Sequence, residues 1–125
     1  MALLHGDLTE RIVRSFYDVY HELGVGFLES VYRDALVIAL LEDGLRCSHE
    51  LPLKVRFRGR IVGDFRADIV VEELIILELK SATDIHPVHR AQVLNYLRAS
   101  GLQVGLILNF GPKARIERLV RSGGS

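Results

Sequence analysis

Only one cysteine, Cys47, occurs in the 125 residues, which excludes an internal disulfide and leaves no set of cysteines with metal-site spacing. Net charge is absent too. Sixteen basic residues balance 16 acidic ones, so no global positive field drives non-specific nucleic-acid binding, and any such binding needs a local patch. No stretch approaches the roughly 18 consecutive apolar residues of a bilayer-spanning helix. The opening Met1-Ala2-Leu3-Leu4-His5-Gly6-Asp7 lacks a basic segment followed by a long apolar one and does not read as a signal peptide. Internal repeats and low-complexity segments are missing as well. These absences predict a cytoplasmic protein in a reducing setting with no membrane partner. What is present is 49% hydrophobic residues, enough for one compact domain with a real core in a chain too short for two. The expected domain is 1–121, with 122–125 as a flexible tail.

Apolar residues from Ile12 to Leu23 recur at three- and four-residue intervals, which predicts a helix over about 8–23, with Asp7 or Thr9 as its cap and Glu10 completing a capping box from Asp7. Gly24 and Gly26 break it. A second helix is expected over about 28–42, ended by Gly44. The period then changes to two. Leu51, Leu53, Val55 and Phe57 alternate with Lys54, Arg56 and Arg58, and after a turn at Arg58-Gly59-Arg60 the odd positions Ile61 to Val71 form an inner set, leaving Asp64, Arg66 and Asp68 on the other face. A mostly apolar run over about 74–81 reads as a strand buried on both sides. Pro87 opens a helix that Gly101 closes, and Val104 to Phe110 reads as a further buried strand. The segment 114–121 alternates like an edge strand, although its residue types also allow a helix. Three strands joined by tight turns favour antiparallel pairing, and the following helix allows a parallel crossover. The expected fold is α/β: a mixed sheet flanked by helices.

Candidate chemistry centres on Leu77-Glu78-Leu79-Lys80. Alternation puts Glu78 and Lys80 on one face of an apolar strand, where charge is costly without a reason. With Asp68 on the neighbouring strand, two carboxylates could hold Mg²⁺ or Mn²⁺, which prefer oxygen donors, while the lysine meets an anionic substrate. Glu29, opening the second helix, could be a third carboxylate or only a favourable charge at a helix N-terminus. Tyr32 shares its face and is either a substrate contact or a core aromatic. Gln92, Asn95 and Tyr96 share a helical face and could meet a phosphate or a base, or equally cap loops. His86 and His89 have a spacing that zinc could use, with loop packing or phosphate contact as alternatives. Lys54, Arg56, Arg58 and Arg60 could track a nucleic-acid backbone or guard a strand edge against aggregation.

The stretch Leu23-Gly24-Val25-Gly26-Phe27-Leu28-Glu29-Ser30-Val31-Tyr32 resembles the signature of the GxxExxY protein family, with Gly26, Glu29 and Tyr32 at its named positions. Phe65-Arg66-Ala67-Asp68, Glu78-Leu79-Lys80, Ala91 to Leu97 and Gly105 to Gly111 extend the likeness over about 8–120. That family is placed in the PD-(D/E)xK nuclease-like superfamily. The resemblance implies a restriction-endonuclease-like core of helix, three strands, helix, strand. It implies a nuclease triad of Asp68, Glu78 and Lys80 with Glu29 as the helix acid, a metal held by Asp68, Glu78 and Glu29, and substrate contacts from Gln92, Tyr96, Arg66 and Tyr32. Ala67 stands where the superfamily's proline would, and Tyr20 stands, next to His21, where the family usually has histidine. The expected function is metal-dependent phosphodiester hydrolysis, with DNA as substrate and a homodimer or partner protein supplying specificity. The alternative is a non-catalytic nucleic-acid-binding or assembly module that retains the fold.

Overall fold

The computed structural model describes residues 3–122; positions 123–125 of the expected tail lie outside the described residues. Helix α1 (Gly6–Leu23) buries the stripe Ile12, Phe16 and Val19, and α2 (Glu29–Glu42) buries Tyr32, Leu36 and Leu40 at four-residue intervals. The cap of α1 differs from expectation. His5, at φ 55, precedes the first helical residue without a side-chain cap, so Asp7 falls inside the first turn, where its charge favours the helix dipole instead. Five strands follow the helices: β1 (Cys47–Phe57), β2 (Arg60–Val71), β3 (Ile75–Lys80), then helix α3 (Pro87–Ser100), β4 (Val104–Asn109) and β5 (Arg115–Val120). The ambiguous C-terminal segment is thus an edge strand.

The sheet runs β1-β2-β3-β4-β5 in chain order. All neighbours are antiparallel except β3 and β4, which α3 joins as a parallel crossover. Each face carries its own core. Helices α1 and α2 pack against Ile69, Val71, Ile75, Leu77, Leu79, Leu106 and Leu108 on one side, and α3 packs against Ala67, Val70, Ile76 and Ile107 on the other. Burying one such aliphatic side chain stabilises by roughly 1.5–3 kcal/mol, so β3 and β4, both covered on two faces, are the firmly held centre of the sheet. Gly105 lets α3 settle close, because a Cβ there would meet Val93 Cγ1 at 2.6 Å.

The expectation of one inner set along β2 fails. Phe65 and Ala67 join the α3 core, Ile69 and Val71 join the α1–α2 core, and Ile61 is exposed. The reason is a change of course at Asp68. Pairing with β3 extends only from Ile69↔Leu77 to Val71↔Ile75, and across the hairpin Glu50 takes a left-handed φ of 52 between the pairs His49↔Ile69 and Leu51↔Ala67. Beyond that point the hairpin leaves the plane of the central sheet and its alternation serves the other face.

Candidate active site

Where β2 departs from β3, a backbone N–H on β3 would lose its partner. Asp68 fills the gap: its Oδ2 accepts a hydrogen bond from the Leu79 N–H at 2.8 Å. The same bond fixes the aspartate beside Glu78, the residue that precedes Leu79 on β3. Glu78 is 5% exposed, and its Oε1 lies 3.6 Å from Lys80 Nζ, while its Oε2 is buried without a hydrogen-bond partner. Burial, helped by the nearby Asp68 charge, pushes the Glu78 carboxyl up to about 8 against the restraining pull of Lys80. Asp68 is raised too, mainly by burial.

Helix α3 closes this corner. Tyr96, 4% exposed, receives a hydrogen bond on its hydroxyl from Gln92 Nε2 at 2.8 Å and packs edge-tilted on Phe65 at 5.6 Å between centroids. Burial and the charges of Glu78 and Asp68 push its phenol up to about 12, so it stays a neutral donor. Gln92 and Tyr96 are therefore brought to the carboxylate corner, and Asn95, exposed beside Ser122, is not. His86 and His89 are a helix cap rather than a zinc pair: the His86 N–H donates to His89 Nδ1 at 3.1 Å.

Glu29 comes from the other side of the sheet. Its Oε2 accepts the Ser81 N–H at 3.1 Å, which pins the start of α2 to the end of β3, and its charge reaches Asp68. The three carboxylates nevertheless do not form one cluster: among the described residues no group of three or more His, Cys, Asp or Glu side chains is arranged to hold a metal. Asp68 and Glu78 are brought together with Lys80, and Glu29 stands one step off, occupied by a backbone amide.

Two sequence expectations change character. Tyr32 is fully buried, stacked on Phe110 at 4.5 Å, and its hydroxyl donates to the Gly24 carbonyl and accepts from the Phe27 N–H, so no substrate can reach it. Its hydroxyl ties together the turn ahead of α2. With Gly26 at φ 108 it shapes the loop that delivers Glu29, which gives the Gly26, Glu29, Tyr32 spacing a physical meaning. Arg66 is exposed and donates at 3.4 Å to the Glu50 carbonyl, its one side-chain hydrogen bond among the described residues.

The residues that sequence reasoning left without a role are Asn109 and Gly111. Asn109, fully buried, donates to the Ala82 and Lys113 carbonyls and accepts the Ala82 N–H, clamping the chain just after Lys80. A Cβ on Gly111 would sit 1.8 Å from the Ala82 carbonyl oxygen. The signal was an asparagine ending an apolar strand, with Gly111-Pro112 two residues on. A surface groove of about 630 Å³ runs between α1 and α2 past Arg11, Asp18 and Glu42 and takes in none of Asp68, Glu78 or Lys80.

The donor set suits a hard divalent cation: two adjacent carboxylates, one with an orphaned buried oxygen, repel each other until a positive charge joins them. Comparison with known proteins gives the family and the fold. A sequence model of the PD-(D/E)XK nuclease superfamily matches residues 6–120. The crystal structure of SSO0001 superposes with a TM-score of 0.59 at 16% identity, over 94% of this chain and 59% of that one, so this chain spans less than two thirds of its structural relative. The likeness shows the fold, which is restriction-endonuclease-like. A comparison with curated protein sequences returns no match. No helix among the described residues is long and apolar enough to cross a membrane.

Proposed function

The chain belongs to the PD-(D/E)XK nuclease superfamily, and on that premise we propose that it hydrolyses phosphodiester bonds in DNA with the help of Mg²⁺ or Mn²⁺. Within the superfamily its Gly26, Glu29 and Tyr32 spacing supports a reading as a GxxExxY-type protein that acts in the cytoplasm as one domain. The observation that carries the reading is the pair of buried Glu78 and half-buried Lys80, 3.6 Å apart beside Asp68. Isolated charges in such a place destabilise a fold and are kept where chemistry needs them.

Asp68 and Glu78 would hold the cation, with Glu29 free to join once it releases Ser81. Bound there, the cation supplies the Lewis acidity that phosphodiester hydrolysis requires. Lys80, 19% exposed and positively charged, orients the attacking water or neutralises charge that builds on the phosphate. Tyr96, kept protonated, and Gln92 donate to a phosphate oxygen and hold the strand against the carboxylates. Specificity for a sequence or structure comes from a second copy or a partner protein.

Cleavage of single- and double-stranded DNA and RNA in the presence of Mg²⁺ or Mn²⁺ tests the proposal. It should appear with DNA and vanish in Glu78→Ala and Lys80→Ala; activity unchanged in both variants would sink it. A second reading, a module that binds without cutting, is favoured by one observation, the engagement of Glu29 by the Ser81 amide. Melting curves separate the two. A metal site raises the melting point as Mg²⁺ is added, whereas a purely structural charge pair leaves it unchanged.

A further inference from the structure

Beyond Asp68 the β1–β2 hairpin continues for eight residues of β2, Arg60 to Ala67, that have no partner on β3. Since Ile69 lies opposite Leu77 and the strands are antiparallel, this extension runs past the end of β3 that carries Glu78 and Lys80. At about 3.4 Å per residue the tip reaches roughly 25 Å from Asp68. Its base packs on α3 through Leu51, Leu53, Phe65 and Ala67, but every residue from Lys54 to Val62 is exposed.

The composition of that exposed half is one-sided. From Leu51 to Gly63 there are four cations, Lys54, Arg56, Arg58 and Arg60, and no acid, in a chain whose net charge is zero; the first acid beyond them, exposed Asp64, lies opposite Lys54, leaving the three arginines nearest the tip without one. None of the four is in an ion pair among the described residues. Arg58 occupies the apex of a two-residue turn at φ 50, followed by Gly59 at φ 79, a place where Asn, Asp or Gly is favoured and a bulky side chain is strained. Its guanidinium lies over the Phe57 ring at 4.8 Å. Charge that merely guards a strand edge would not be interleaved with exposed Phe57 (59%), Ile61 (46%) and Val62 (65%). Cations alternating with an aromatic and aliphatic surface are the chemistry that meets phosphates, sugars and bases together.

We propose that this hairpin is an arm that grips the phosphodiester backbone of a DNA duplex next to the Asp68, Glu78 and Lys80 corner. The inference deepens the proposed nuclease function and rests on it for the identity of the substrate. The arm supplies a local positive patch on a chain whose net charge is zero, and its grip sets which phosphate is presented to Lys80.

The test is binding, measured apart from cleavage. Fluorescence anisotropy of a labelled DNA duplex in EDTA, over a series of salt concentrations, compares the full chain with a variant carrying Lys54→Ser, Arg56→Ser, Arg58→Ser and Arg60→Ser. Each lost phosphate contact should lower the slope of log affinity against log salt by about 0.9, so the variant's slope should fall by roughly 3 to 4. Circular dichroism checks that the variant stays folded. An unchanged slope, or a parent chain that binds no duplex, overturns the inference. So does a result in which Phe57→Ser splits a dimer on sedimentation while the slope stays put, since the arm is then a subunit interface. The two proposals fail separately. An arm-dependent slope without cleavage leaves the arm and removes the catalyst, and cleavage with an arm-independent slope does the reverse.

Discussion

The corner at the end of β3 and the tip of the β1–β2 hairpin both gather charge, and they handle it in opposite ways. At the corner a few charges are buried, close and mutually constrained, so each alters its neighbours' proton affinity and the stability of the fold. At the tip the charges are exposed and unpaired, so they leave the fold nearly untouched and act only outward, on whatever approaches through salt-screened solvent. Burial gives chemistry and exposure gives reach.

The contrast is easiest to break with pH. Glu78 holds its proton more tightly folded than unfolded, with its carboxyl raised from 4.5 to about 8. Between those values the folded state binds more protons, so stability falls as pH rises, by roughly 4 kcal/mol across the window, and Asp68 acts in the same direction. Denaturant titrations from pH 4.5 to 8.5 should show this decline, and added Mg²⁺ should flatten it by holding both carboxylates ionised. A pH-independent midpoint would mean that the corner does not bury its charge.

Glu78→Gln sharpens the same point at nearly constant shape. Cleavage should drop by about 100- to 1,000-fold, as for loss of one electrostatic participant, while stability above pH 8 rises relative to the parent. If Glu78 were instead one half of a structural ion pair, its removal would cost about 3 to 5 kcal/mol. Next in size is Gly111→Ala. The added methyl has no room beside Ala82, so the clamp behind Lys80 must open, at roughly 3 kcal/mol by thermal melts and with a loss of Mg²⁺ response. The smallest effect belongs to the arm: serine at all four cations should shift stability by less than about 0.5 kcal/mol per site, against a large change in duplex binding. A melting point that falls steeply would show the tip to be part of the core after all.

Much of the fold was legible from local pattern. Helix α3 spans Pro87–Ser100 as its proline and glycine predict, and the double burial of β3 follows from its unbroken apolar run. What resisted was non-local. Strict alternation along β2 could not foresee that the strand changes cores at Asp68, because the cause lies in Glu50 across the hairpin and in the early end of the β3 ladder. Tyr32 and Asn95 share faces with site residues on a helical wheel, yet Phe110 swallows one and the rotation of α3 turns the other outward. Asp68, Glu78 and Lys80 were readable because charge on a buried strand stands out. Asn109 was not, because its partner is the backbone of Ala82, and a sequence carries no mark of which carbonyl will need an amide.

The bond from the Ser81 amide to Glu29 has a practical consequence. That amide is satisfied only while the glutamate side chain stays turned toward it. Any ligand that draws Glu29 inward must hand Ser81 over to water, and its proton will then exchange with solvent. One resonance in a ¹⁵N spectrum therefore acts as an occupancy gauge for the corner, moving on the arrival of a cation in a sample where nothing is cut.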